Sequence, residues 1–276
     1  MESITFGICT YNRKDILVKS ARSLSLVRGI KTVHIRIYDD CSSEYDEAFL
    51  HSLFPDAVSI TRQKENLGAD RNTSVMYEDF LASGDEWLFN ADSDLIYRAD
   101  LLETMENMKG HCGGFMTFFN CISHEDIGET ELFTEKESVG AAGCFFRRDV
   151  VQLILDSIRV RSVSFDTGFS RVLRKNGYPL YASRHSMVQH IGITGFNSAN
   201  IVFDYGRGFI PDSQINANII EDTFEAYVTS VHAFRSRRTF WAYNFVTSTI
   251  PRKIDRYGRV IKETIENRSK AKKQSG

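Results

Sequence analysis

Hydrophobic and polar positions along this 276-residue chain follow two alternating periods. Short apolar runs at 4–9 and 87–89, an alternating stretch at 33–38 and a weaker one at 58–61 read as strands, because successive side chains of extended backbone point to opposite faces. Between them, apolar residues recur at helical spacing. Ile16, Leu17, Ser20, Leu24 and Val27 follow the first strand, residues 44–54 follow the second until Pro55 breaks them, and Val75, Phe80 and Leu81 follow the third. Strands alternating with helices imply right-handed crossovers and a mostly parallel central sheet flanked by helices, an α/β fold whose ligands sit outside the carboxyl ends of the strands. Polar clusters at 10–13, 39–43, 66–72 and 90–94 lie at those ends.

The last cluster has the clearest chemistry. Two carboxylates one residue apart, Asp92 and Asp94, point the same way from an extended strand, and hard oxygen ligands suit Mg²⁺ or Mn²⁺. A polar turn made of Asn90, Asp92, Ser93 and Asp94 is the plainer alternative.

Composition narrows the class. With 42% hydrophobic and 12% aromatic residues the chain can fill a substantial core, as one large domain or two small ones. The net charge of −2 hides an imbalance: residues 232–276 hold twelve Lys or Arg against three Asp or Glu, a basic module. Five cysteines, scattered and without C-x-x-C spacing, argue against a zinc site or disulfide framework and suit a reducing compartment. No charged leader precedes the first strand and no window approaches eighteen uninterrupted apolar residues, so the expectation is a cytoplasmic protein with neither signal peptide nor membrane span.

The ordered set TYNR, YDDCSS, ENLGADRN and NADSD resembles family 2 glycosyltransferases of the nucleotide-sugar-binding A fold (GT-A), over roughly residues 3–97. The resemblance implies that Thr10, Tyr11 and Asp39 or Asp40 hold the uracil and ribose of a UDP-sugar. It implies that Asn12, Arg13, Gly68, Arg71 and Ser93 belong to the donor site, and that Asp92 and Asp94 are the metal-binding D-x-D. Cys41 departs from the usual glycine and removes easy access to positive φ at that turn. Tyr11 as a core aromatic, Arg71 as a helix-face cation and Asn72 as a helix-start residue are the structural alternatives.

In the second half, Asp100 is placed to cap a helix running to Met108, and 113–119 and 141–146 read as buried strands. The acidic, unpatterned stretch 124–139 between them reads as a mobile loop over the acceptor side or as a surface insertion. Residues 150–158 read as a core helix. Asp166 stands at the start of another helix carrying Phe169, Val172 and Leu173, as a cap or as a group facing a cleft. His190 precedes Gly192 and Gly195, glycines that let backbone approach a ligand closely. The run from SFDTGFSRVL through GYPLYASRHSMVQHIGITGFNS resembles, more loosely, the catalytic end of N-acetylglucosaminyltransferases of the same fold, which implies that Asp166 is the base and His190 a third metal ligand. From Gln214 an amphipathic helix leads into Arg235, Arg237, Arg238, Phe240, Trp241, Tyr243 and Phe245, aromatics beside cations that suit an anionic membrane surface. No nucleic-acid module accompanies them.

The reading is therefore an inverting glycosyltransferase that uses Mn²⁺ or Mg²⁺ and a UDP-sugar and acts on a glycan, lipid-linked or polysaccharide acceptor, the sugar being a hexose or N-acetylhexosamine. Residues 1–200 would form the GT-A domain, with its nucleotide half at 1–97 and acceptor half at 98–200. Residues 201–276 would form a helical, basic C-terminal extension for the inner face of a membrane or for self-association. Two rivals stand beside it. One is a nucleotidyltransferase on a similar sheet, although TYNRKD lacks the glycine-rich loop that class uses after its first strand; the other is a non-catalytic scaffold that binds nucleotide or carbohydrate.

Overall fold

The computed structural model describes residues 2–158, 165–193 and 203–235, with side chains for all but 165–167 and 232–235. Strands β1 (Ile4–Thr10), β2 (His34–Asp39) and β3 (Ala57–Arg62) alternate with helices α1 (Lys14–Leu24), α2 (Glu47–Leu53) and α3 (Ala69–Ser83). Next come β4 (Trp87–Asp92), β5 (Leu95–Tyr97), α4 (Leu101–Met108), β6 (Phe115–Thr117), β7 (Asp126–Glu129), β8 (Phe133–Lys136) and β9 (Cys144–Arg147). Helices α5 (Arg148–Ser157) and α6 (Phe165–Lys175), strands β10 (Tyr181–Ser183) and β11 (Val188–His190), and α7 (Gln214–Arg235) complete the described elements.

The main sheet has the order β3-β2-β1-β4-β9-β6-β10-β8-β7. Its first four strands are parallel, as the alternating pattern predicts, whereas β9 runs antiparallel to both β4 and β6 and the β7–β8 hairpin closes the far edge. The order reverses direction between β1 and β4, the kind of switch point at which open α/β sheets bind ligands. A compact unit extends to Ala226, and the described residues from Tyr227 to Arg235 are assigned to a second.

The period of two sorts the core onto the two sheet faces. Phe89 and Phe145 belong to one apolar layer with Phe6, Tyr97 and Trp87, whose ring stacks on Phe145 at 4.6 Å. Their chain neighbours Leu88 and Phe146 belong to the opposite layer with Met76, Phe80 and Phe169. Burying one such aromatic is worth about 1.5–3 kcal/mol, so both layers hold the sheet firmly. Gly7 admits α3 against β1: a Cβ there would lie 2.3 Å from Met76 Sδ. That close approach brings the start of α3 to the ends of the strands.

Several local expectations are corrected. The 124–139 stretch is not a structureless loop but carries the β7–β8 hairpin, with Phe133 and Lys136 buried. Lys136 Nζ donates to the carbonyls of Cys121 and His124 and pairs with Asp126 at 2.6 Å, so a buried charge is fully partnered. Asp100 precedes α4 but gives it no side-chain cap, because its carboxylate is occupied by Arg98 at 2.9 Å. Strand β4 extends to Asp92, and Ser93 and Asp94 form a turn before β5. The two carboxylates therefore do not share one strand face, although both reach the same cleft.

Candidate active site

A cleft of about 880 Å³ opens at the carboxyl ends of β1 and β4. Of the residues expected at a donor site, Thr10, Tyr11, Asn12, Arg13, Asp40, Gly68, Asp92, Ser93, Asp94 and His190 line it. Asp39 and Arg71 do not. Cys9, Asn66, Ala69, Asn72, Thr73 and Gly192 complete the wall. Asn66, Ala69, Asn72 and Gly192 stand inside the motifs read above, while Cys9 and Thr73 carried no separate signal.

The loop after β1 owes its shape to an unusual backbone. Asn12 and Arg13 both adopt left-handed conformations, φ 50° and 56°, and Cys41 in the loop after β2 does the same at φ 63°. Such residues cost about 1–3 kcal/mol each and persist where surrounding contacts over-determine them. Here the two loops are stapled together. Asn12 N donates to Ser42 Oγ at 2.8 Å, Asn12 Oδ1 accepts from the backbone of Ser43 and Glu44 at 2.8 and 3.2 Å, and Tyr45 OH donates to the Asn12 carbonyl at 3.2 Å. The Tyr45 hydroxyl also shares a 2.6 Å hydrogen bond with Thr10 Oγ1.

Cys41 thus takes positive φ despite its side chain, and the register of the two acids at the end of β2 follows. Asp39 is wholly buried, accepts from the backbone and hydroxyl of Ser42, and lies 3.5 Å from Arg62 Nε. Burial raises its carboxyl above the usual range, against the Ser42 hydrogen bonds. Asp40 receives the backbone N–H groups of Leu67 and Gly68 at 2.6 and 2.9 Å, anchoring the loop before α3 at the cleft wall. Asn72, also buried, donates to the Tyr38 carbonyl at 2.9 Å, which ties α3 to β2.

On the opposite wall, Asp94 is the centre of an ion cluster. Its Oδ2 lies 2.7 Å from Arg13 NH1 and 3.1 Å from His190 Nε2, and its side chain is only 5% exposed. Arg13 NH2 reaches Ser93 Oγ at 3.3 Å. The pairing of β11 with β5 sets His190 opposite Leu95 and so beside Asp94. Burial alone would raise the Asp94 carboxyl, but His190 and Arg13 outweigh it and hold the group well below the usual carboxylate range. Burial likewise works against the charged imidazole, yet the Asp94 charge and hydrogen bond raise His190 to about 8. His190 Nδ1 is buried without a hydrogen-bond partner among the described residues. Gly192 is required over this cluster: a Cβ there would sit 2.2 Å from Asp94 Oδ2 and 3.1 Å from Arg13 NH1.

Asp166 falls at the second position of α6. Its side chain, together with Gly195 and the basic aromatic stretch after Arg235, lies outside the described residues. Helix α6 is tied to the loop before β9, since Val139 N donates to Ser170 Oγ at 3.3 Å and Ser170 Oγ donates to the Val139 carbonyl at 3.1 Å. Among the described residues, no helix is long and apolar enough to cross a membrane.

Residues 5–121 match the family model for glycosyl transferase family 2, a span that contains all four motifs named above. Over that span, less than half of the chain, the sequence is similar to family 2 glycosyltransferases, and the fold is of the GT-A type. No curated protein matches the chain. Among solved structures, S. aureus TarS 1-349 in complex with UDP-GlcNAc superposes with a TM-score of 0.52 at 14% identity, covering 65% of this chain and 55% of that one. The longer S. aureus TarS structure gives 0.53 at 12% identity, covering 80% and 39%. The mannosyltransferase PcManGT from Pyrobaculum calidifontis, in complex with GDP-Man and Mn²⁺, gives 0.49 at 12% identity, covering 66% and 56%, a likeness too slight to argue from. The matched chain thus spans little more than half of these relatives, or less.

Proposed function

We propose that the protein is an inverting, metal-dependent glycosyltransferase that takes its sugar from a UDP-sugar and delivers it to a glycan, lipid-linked or polysaccharide hydroxyl. The observation that carries this reading is the meeting of Arg13, Asp92, Asp94 and His190 in one cleft at the ends of β1 and β4. A structure of the same fold, S. aureus TarS 1-349, holds UDP-GlcNAc.

The donor set fits a divalent cation. Asp40, Asp92 and Asp94 bring three carboxylates to the cleft wall, against only Arg13 and His190 as cationic side chains among its lining residues. A diphosphate would meet a wall with an excess of its own sign. Among the described residues no group of three or more His, Cys, Asp or Glu is arranged as a metal cage. Magnesium needs none, since it is commonly held by one or two carboxylates together with substrate phosphates. Asp92 and Asp94 would hold the ion, with His190 offering its unpartnered Nδ1 once the imidazole has given up its proton. Once bound, the ion supplies stabilisation of the negative charge that develops on the departing diphosphate.

The chain's own residues do the rest. Thr10, Tyr11 and Asp40 line the part of the cleft assigned to base and ribose, with Tyr11 36% exposed and free to stack. Asp166, in the first turn of α6, takes the proton from the acceptor hydroxyl as that oxygen attacks the anomeric carbon. The basic aromatic C-terminal stretch would hold the enzyme at an anionic membrane surface where a lipid-linked acceptor is presented. A thermal-shift screen of nucleotide sugars with Mn²⁺ tests the reading, because a ligand selective for the folded state raises its apparent stability. Uridine diphosphate sugars should raise the melting temperature and other nucleotides should not; no shift with any nucleotide sugar would remove the proposal.

A further inference from the structure

We propose that Arg13 is an exchangeable counter-ion: with no donor bound it holds Asp94, and when a divalent cation takes that carboxylate the guanidinium moves to the donor's phosphates. This rests on the donor site described above and adds a step in its assembly.

Four observations carry it. Arg13 and His190 both engage the same oxygen, Asp94 Oδ2, and the carboxylate is almost entirely buried. A divalent ion at Asp94 would crowd three cationic centres around one carboxylate, and the one attached to a movable side chain is Arg13, which is 34% exposed. The Arg13 backbone is fixed independently of its side chain, since its carbonyl accepts from Ile16 N and Leu17 N at 3.0 Å each, at the start of α1. The side chain can therefore swing without disturbing the loop. Finally, Gly192 closes over the cluster so tightly that a Cβ would sit 3.1 Å from NH1, which leaves the open cleft as the direction of release.

The charge balance makes the exchange productive. An arginine neutralised by Asp94 attracts a diphosphate weakly, whereas one released into the cleft meets it with a full charge and a planar donor fork suited to phosphate oxygens. Cation and nucleotide should then bind cooperatively, each favouring the state in which Arg13 has left Asp94.

The test is Mn²⁺ binding to the full chain, followed by electron paramagnetic resonance without nucleotide and then with UDP. Arg13→Gln should bind Mn²⁺ alone about fivefold more tightly than the unaltered protein, the size expected when a competing ion pair with one partly exposed partner is removed. It should also lose most of the gain in UDP affinity that Mn²⁺ confers. Equal or weaker Mn²⁺ binding by Arg13→Gln would overturn the exchange while leaving the donor site standing, provided the unaltered chain binds Mn²⁺ with UDP. Absence of Mn²⁺ binding to the unaltered chain, even with UDP, would overturn both. Should Arg13→Gln fail to fold, the Arg13 Nε–H NMR signal of the unaltered chain, assigned through its loss in Arg13→Lys, gives the same answer. It should shift on adding Mg²⁺ alone and again with UDP, and a signal indifferent to both would contradict the proposal.

Discussion

Arg13 and Asp94, separated by 81 positions in sequence, meet at 2.7 Å across the mouth of the cleft. The pair links the loop after β1 to the turn after β4, the two strands at which the sheet order reverses. It joins Asp94 of the D-x-D to the TYNR loop in one electrostatic unit.

Gly192 is the steric lid of this unit. Gly192→Ala would press a methyl group onto Asp94 Oδ2, at 2.2 Å if nothing moved. Overpacking of this kind typically costs about 1–3 kcal/mol, so chemical denaturation should show a modest loss of stability. UDP affinity in the presence of Mn²⁺ should fall by about tenfold or more, since about 1.4 kcal/mol of displaced geometry amounts to that factor. Unchanged binding by calorimetry would mean that the cluster relaxes without consequence.

A second acid governs acid sensitivity away from the cleft. Asp85 is buried, accepts a hydrogen bond from Thr5 Oγ1 and lies 2.9 Å from His34 Nδ1. Burial raises its carboxyl, but the Thr5 and His34 hydrogen bonds prevail and lower it. A carboxyl depressed in the folded state contributes stability that is present above its unfolded value and is lost as the pH falls through the folded one. Denaturation midpoints of the unaltered protein should thus fall more steeply on acidification than those of Asp85→Asn. Parallel curves would show that Asp85 carries no such linkage.

Asp166 is the proposed base, and Asp166→Asn keeps its shape while removing the proton acceptor. The variant should bind Mn²⁺ and UDP-sugar as the unaltered protein does and transfer sugar at least about a hundredfold more slowly, the usual scale of general-base catalysis. Activity within a few-fold of the unaltered protein on the true acceptor would reassign Asp166 as a helix cap. Weakened donor binding would move it into the nucleotide site.

The parallel half of the fold was legible because β1 and β4 are largely buried and read as apolar runs, β2 alternates, and the polar clusters at the strand ends fall in a recognisable order. The hairpin at 126–136 was not legible: β7 is an edge strand exposed along most of its length, so it carries no apolar alternation. The turn between Asp92 and Asp94 escaped for a related reason. Strand β4 continues through Asn90 into Asp92 because parallel pairing with β1 extends to Cys9 opposite Asp92, a tertiary effect invisible in local composition. The Arg13–Asp94–His190 cluster depends on β5 pairing with β11, a contact between Leu95 and His190 that no short-range pattern encodes. Asp39 and Asp40 looked interchangeable in sequence. The positive φ at Cys41 decides between them by turning Asp39 onto Ser42 and leaving Asp40 at the cleft wall.

The central claim is that the Asp92–Asp94 wall and Arg13 form a metal-dependent donor site, and calorimetric titration of UDP tests it most directly. The unaltered protein should bind UDP in the presence of Mn²⁺ and lose most of that affinity in EDTA. Asp94→Ala, folded by its melting curve, should bind UDP weakly and equally in both conditions. Equal UDP affinity for both proteins, with and without EDTA, would contradict the account.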